Sequence, residues 1–153
     1  EVRSMDVAAA AAALRVHVSD SRVAVAACKR LAILCKEVHN RQPAAEAGAI
    51  DAIVVAMQAH PQVAGLQKQG CCTLANVCSG DDAAALARKQ RAADAGAIEA
   101  IVAAMQAHPQ EAGVQEQGCR ALCNVCFGTD AAGGARKQRA AAAGAIEAVV
   151  AAM

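Results

Sequence analysis

The stretch AGAIEAIVAAMQAHPQEAGVQEQGCRALCNVC at 95–126 recurs along the chain, and this self-similarity constrains the fold more than any other feature. An offset of 48 residues backward lands on AGAIDAIVVAMQAHPQVAGLQKQGCCTLANVC at 47–78, and the same offset forward lands on AGAIEAVVAAM at 143–153. A more diverged copy, LRVHVSDSRVAVAACKRLAILC at 14–35, aligns without gaps to 105–126. Periods of roughly 20–50 residues mark arrays whose units bury their apolar faces only by stacking on neighbours. The chain is therefore expected to be a single array over 1–153, with a partial repeat at 1–38, repeats at 39–80 and 81–128, and a partial repeat at 129–153. Incomplete units at both ends suggest a piece of a longer array with apolar faces left open.

Inside the unit the apolar spacing is helical. Ile50, Ile53, Val54 and Met57 fall at i, i+3, i+4 and i+7, as do Ile98, Ile101, Val102 and Met105. Leu66, Gly70, Cys71, Leu74, Val77 and Cys78 form a second stripe, repeated as Val114, Gly118, Cys119, Leu122, Val125 and Cys126. Gly48 and Gly96 stand where a sharp reversal between helices is needed, and Pro43, Pro61 and Pro109 suit first turns of helices. Near the start, Ser4 can cap a helix from Met5 to about Val16, and a second helix covers about Ser21 to Glu37. Asp residues precede the alanine-rich segments after Gly80 and Gly128, although Gly133 and Gly134 weaken the start of the later one. The junction from Cys78 to Gly96 is five residues longer than that from Cys35 to Gly48, which predicts an opening helix longer by about a turn.

Composition excludes several functional classes. The formal charge is +1 and aromatics are 1%, Phe127 alone, whereas nucleic-acid binding calls for a basic excess and stacking rings. The longest apolar run, Val7 to Leu14, is too short to span a bilayer, and no leader pattern precedes it. Each of the pairs Cys28/Cys35, Cys71/Cys78 and Cys119/Cys126 lies seven apart on one helical face, too far to bridge. Reduced thiols used as core residues, and a cytoplasmic or nuclear location, are the expectation.

The unit AGAIEAIVAAM followed by HPQEAGVQEQGCRALCNVC resembles the armadillo repeat over nearly the whole chain. That family has a short helix, a glycine, a second helix rich in branched apolar residues, a proline turn, and a long third helix ending near A-x-W-A-L-x-N-L. The resemblance implies an all-α fold: a right-handed α-solenoid of armadillo-type three-helix repeats. In the family the third helices line a concave groove where asparagines bond the backbone of an extended peptide. Carried over, this marks Asn76 and Asn124, with Lys29, Cys72 and Arg120 at the place of the groove tryptophan, Lys68 and Glu116 one row before, and Ser79 and Phe127 one row after. Without tryptophans, and with Arg120 and the lysines present, the implied ligand is an acidic or phosphorylated segment rather than a basic signal.

Other motifs have plainer readings. Cys123-Asn124-Val125-Cys126 has C-x-x-C spacing, but no four ligands converge and the pair is not at a helix start, so neither metal nor redox chemistry is expected. Among the remaining thiols Cys72 is expected to be the accessible one. His17, His60 and His108 recur once per unit beside a turn without an orienting carboxylate and read as turn residues. The RKQR stretches at 88–91 and 136–139 read as solvated surface. No catalytic constellation and no cofactor motif is present, so the expected function is a non-enzymatic scaffold for a protein or peptide, with no nucleic-acid or membrane partner. The alternative is a self-associating module that forms homo-oligomers through uncapped ends.

Overall fold

The computed structural model describes residues 5–153. Among them the structure is all-α, with ten helices and no strand: α1 (Val7–Val16), α2 (Ser21–Leu34), α3 (Val38–Glu46), α4 (Ala49–Ala59), α5 (Ala64–Val77), α6 (Ala83–Asp94), α7 (Ala97–Ala107), α8 (Ala112–Cys126), α9 (Ala131–Ala142) and α10 (Ala145–Ala152). They fall into three-helix units, α3–α5 and α6–α8, flanked by the pairs α1/α2 and α9/α10. Counterparts stack: α5 packs between α2 and α8, α4 between α1 and α7, and α6 between α3 and α9.

The apolar stripes form the interior. Ile50, Ile53, Leu66, Cys71, Leu74, Ile98 and Ile101 are fully buried, together with many alanines. A buried isoleucine or leucine contributes about 1.5–3 kcal/mol and an alanine methyl less than about 1, so stability comes from many small contacts at close helix spacing.

Local signals explain most helix boundaries. Asp20, Asp82 and Asp130 accept backbone N–H groups at the starts of α2, α6 and α9, each such cap contributing about 1 kcal/mol. Gly48, Gly96 and Gly144 have φ of 79°, 87° and 89°, the left-handed conformation that turns the chain into α4, α7 and α10 without steric penalty. The opening helix is longer in the later units as expected: α3 has 9 residues, α6 and α9 have 12.

Several boundaries differ from expectation. Ser4 lies outside the described residues; Asp6 caps α1, accepting the N–H of Ala9. Helix α2 stops at Leu34, three residues before Glu37. Pro43 lies inside α3, which is opened by a tight turn from the N–H of Asn40 to the carbonyl of Glu37. Pro61 and Pro109 sit in turns ahead of α5 and α8, which the N–H groups of Val63 and Glu111 close on the carbonyls of His60 and His108. Proline suits the second position of such a turn because its φ is already set.

Candidate functional site

Helices α2, α5 and α8 stand side by side, and their register is fixed by side chains that reach the neighbouring backbone. Thr73 Oγ1 donates to the carbonyl of Cys28 (2.9 Å), Asn76 Nδ2 to that of Ala32 (2.8 Å), and Asn124 Nδ2 to that of Ala75 (2.7 Å). Residue numbers rise together on α2 and α5, so the two helices run in the same direction, and the equivalent bond from Asn124 repeats that register on α8. The result is a continuous three-helix wall.

The residues marked on this wall divide into two groups. Lys29, Lys68, Glu116 and Arg120 are exposed, and Cys72 and Ser79 are half-buried. Phe127, at the end of α8, is 48% exposed. Asn76, by contrast, is 2% exposed, and its Oδ1 accepts from Arg120 Nη2 at 2.5 Å. This corrects the expectation that its amide faces a peptide: the group is spent on joining α2, α5 and α8. Asn124 is half-buried, and only its Nδ2 is engaged among the described residues. Three of the four exposed charges on the marked positions are cationic.

The RKQR stretches are the largest departure from the sequence reading. They are solvated only in part: Arg91, Lys137, Gln138 and Arg139 are exposed, but Arg88, Lys89 and Arg136 are 7%, 1% and 3% exposed. Arg88 Nε donates to the carbonyl of Val77 (2.7 Å), Nη2 to that of Ser79 (3.3 Å), and Nη1 to Gln42 Oε1 (3.1 Å). Arg136 repeats the pattern on the carbonyls of Val125 (2.9 Å) and Phe127 (2.7 Å) and on Gln90 Oε1 (2.9 Å). Lys89 Nζ joins two third-helix ends, donating to the carbonyls of Cys78 and of Asn124 (the latter at 2.8 Å), and lies 5.2 Å from the centre of the Phe127 ring. In the first junction Asn40 and Arg41 hold the carbonyls of Leu34 and Cys35. A third helix ends with unpaired carbonyls and partial negative charge, and cations are favoured there. The motif is thus a clamp from the opening helix of one unit onto the third helix of the unit before. The tetrad's recurrence at one distance after Cys78 and after Cys126 is the sequence signal that points to it.

The turns are tied by the same logic. Gln67 Nε2 donates to the carbonyls of Met57 and His60, and Gln115 Nε2 to those of Met105 and His108. His60 Nε2 lies 2.6 Å from the carbonyl of Val18 and His108 Nε2 2.8 Å from that of Pro61, each linking turns of adjacent units.

All eight cysteines are free thiols. Burial pushes Cys28, Cys71 and Cys78 up to about 12, so these groups stay protonated and are weak nucleophiles. Cys123, rather than Cys72, is the exposed thiol, and Cys119 and Cys126 are half-buried where a full core position was expected. Among the described residues no group of three His, Cys, Asp or Glu side chains is placed to hold a metal ion, and no helix is long and apolar enough to cross a membrane. What the wall offers a ligand is a set of charges and hydrogen-bonding groups at a regular spacing. No protein-family model, curated protein or solved structure matches this chain.

Proposed function

We propose that the chain is a right-handed α-solenoid of armadillo type and works as a non-enzymatic scaffold, holding an extended acidic or phosphorylated segment of a partner protein along the wall of α2, α5 and α8. The observation that carries this reading is the exposure of Lys29, Lys68 and Arg120 on three helices held in common register. An extended segment laid across the wall passes one cation per helix, and Glu116 disfavours a ligand that is acidic throughout its length. Arginine suits phosphate through paired N–H donors, and lysine contributes as a point charge. In this proposal Asn124, not Asn76, is the amide that faces the segment.

The test is a panel of peptides of matched length, acidic, phosphorylated, neutral and basic, titrated against the chain by fluorescence anisotropy. The acidic and phosphorylated members should bind saturably and lose affinity as salt rises. Lys29→Glu combined with Lys68→Glu changes only exposed positions and should weaken binding by about tenfold while leaving the circular dichroism spectrum intact. Equal binding of all four classes, or an unchanged affinity in the double variant, refutes the proposal.

A further inference from the structure

A half-enclosed cavity of about 240 Å³ lies where the turn between α4 and α5 meets α7, with Met57, Pro61 and Gln67 on one side and Ala100, Ala103 and Ala104 on the other. Met57, Gln67, Ala100 and Ala104 are buried and form its floor, and Pro61 and Ala103 are exposed at its mouth. It sits inside the array, between two complete three-helix units, and exists because α7 presents methyl groups where larger side chains would fill the space. It recurs 48 positions later at about 250 Å³, between Met105, Pro109 and Gln115 and the alanines of α10, where Glu147 also borders it.

Gln67 turns a polar atom toward the cavity. Its Nε2 donates to the carbonyls of Met57 (3.0 Å) and His60 (2.8 Å), and only the nitrogen end of an amide can donate twice, so its orientation is fixed. Oε1 then accepts no hydrogen bond among the described residues, although Gln67 is only 2% exposed. No side-chain oxygen among these residues is both sealed from solvent and without a partner, so Oε1 opens onto the cavity that Gln67 lines. Gln115 repeats the arrangement, its Nε2 held by the carbonyls of Met105 and His108.

The first junction shows the same place built otherwise. Its cavity is about 190 Å³, with Val18 where the later units have proline and Val55 where α7 has Ala103. Ala24 stands there at the position of Gln67 and Gln115. The wider cavity and the inward amide oxygen therefore come together, in the later units only.

We propose that the cavity between α4, α5 and α7 is a binding site for a small neutral molecule with a one- or two-ring apolar body and one N–H or O–H donor. An apolar cavity of about 150 Å³ holds benzene, so the larger volume here admits two fused rings. Methyl groups and the Met57 thioether take the apolar body, and Oε1 of Gln67 accepts from the donor and sets its orientation. No charged side chain lines this cavity, so a charged ligand would lose its hydration without a partner. The site is separate from the wall of α2, α5 and α8 and does not depend on the function proposed for it.

Indole is the probe. The chain has no tryptophan and no tyrosine, so indole emission is read without their background. Titrating the intact chain should move that emission to shorter wavelength and saturate with a Kd of about 0.1–1 mM. In spectra of the chain labelled with ¹³C at the methionine methyls, Met57 should shift on binding, Met105 should report the second cavity, and Met5 should stay in place. Ala103→Leu fills the mouth of the first cavity from an exposed position, and Val55 shows that a larger side chain is accommodated there. This variant should keep its circular dichroism spectrum and its Met105 shift and lose the Met57 shift. Indene, which has the same outline without the N–H, should bind about threefold to tenfold more weakly when followed by the Met57 signal. Emission that stays at its value in water, a Met57 shift that survives Ala103→Leu, or equal affinities for indole and indene overturns the proposal.

Discussion

Replacing Arg88 by methionine should destabilise the chain by about 2–4 kcal/mol, although arginine in a four-residue polar run would ordinarily be a surface residue worth less than about 0.5 kcal/mol. The substitution keeps the aliphatic stem and removes donors from the carbonyls of Val77 and Ser79, which Arg88 reaches while itself only 7% exposed. Each orphaned carbonyl costs about 1–3 kcal/mol. Gln42 can turn its amide to solvent and adds little. Against the sum stands the desolvation of the guanidinium, which the variant regains and which brings the total down. Arg91 is the internal control. It belongs to the same tetrad, pairs with Asp51 at 2.8 Å, and has a side chain 48% exposed, so Arg91→Met should cost no more than about 1 kcal/mol. Urea unfolding followed by circular dichroism reads both, with the midpoint moving at unchanged slope. Equal losses for the two arginines would refute the clamp, because the argument predicts a difference set by burial and not by charge.

Two further outcomes follow from particular positions. Gly133→Ala should destabilise by about 1–3 kcal/mol because a Cβ there meets the backbone carbonyl carbon of Gly128 at 2.6 Å, while Gly134→Ala, with nothing within 4 Å, should stabilise by up to about 1 kcal/mol; thermal melts of the two single variants should therefore move in opposite directions. Stability should fall as pH rises above 9.0, since burial pushes Cys28, Cys71 and Cys78 up to about 12 and Cys35 to about 11. In that window the unfolded chain loses thiol protons that the folded chain keeps, a loss of about 1.4 kcal/mol per pH unit for each thiol. Lys89, whose pKa burial lowers, acts in the opposite sense up to its ordinary 10.5 and offsets part of the loss. Urea midpoints across this range should drop, less steeply in Cys71→Ala; a flat profile refutes the assignment.

Periodicity made the helices legible because each buries one stripe, and Ile98, Ile101, Val102 and Met105 leave no other period that places all of them inside. The inter-helix turns were legible because Gly48 and Gly96 are where a left-handed residue is required. Less was legible where the partner is a backbone group. Nothing local to Arg88 or Arg136 tells that two helix-end carbonyls stand within reach, so a cation counted by composition reads as solvated. Asn76 illustrates the same limit: an amide pairs equally well with an incoming strand or a neighbouring helix, and only the distance between α5 and α2 decides for the carbonyl of Ala32. Proline was misplaced because its fixed φ suits a turn as well as a helix start, and Pro61 occupies the turn.

The placement of Lys89 bears on how the wall responds to load. Its single ammonium is shared between the end of α5 and the end of α8, so splaying these helices apart at that edge strips a charged donor from a carbonyl in a site that water does not reach. Arg88 and Arg136 brace the adjoining junctions likewise. For the segment proposed to lie along the wall, these ties set the spacing of its contacts before it arrives, which is a form of preorganisation.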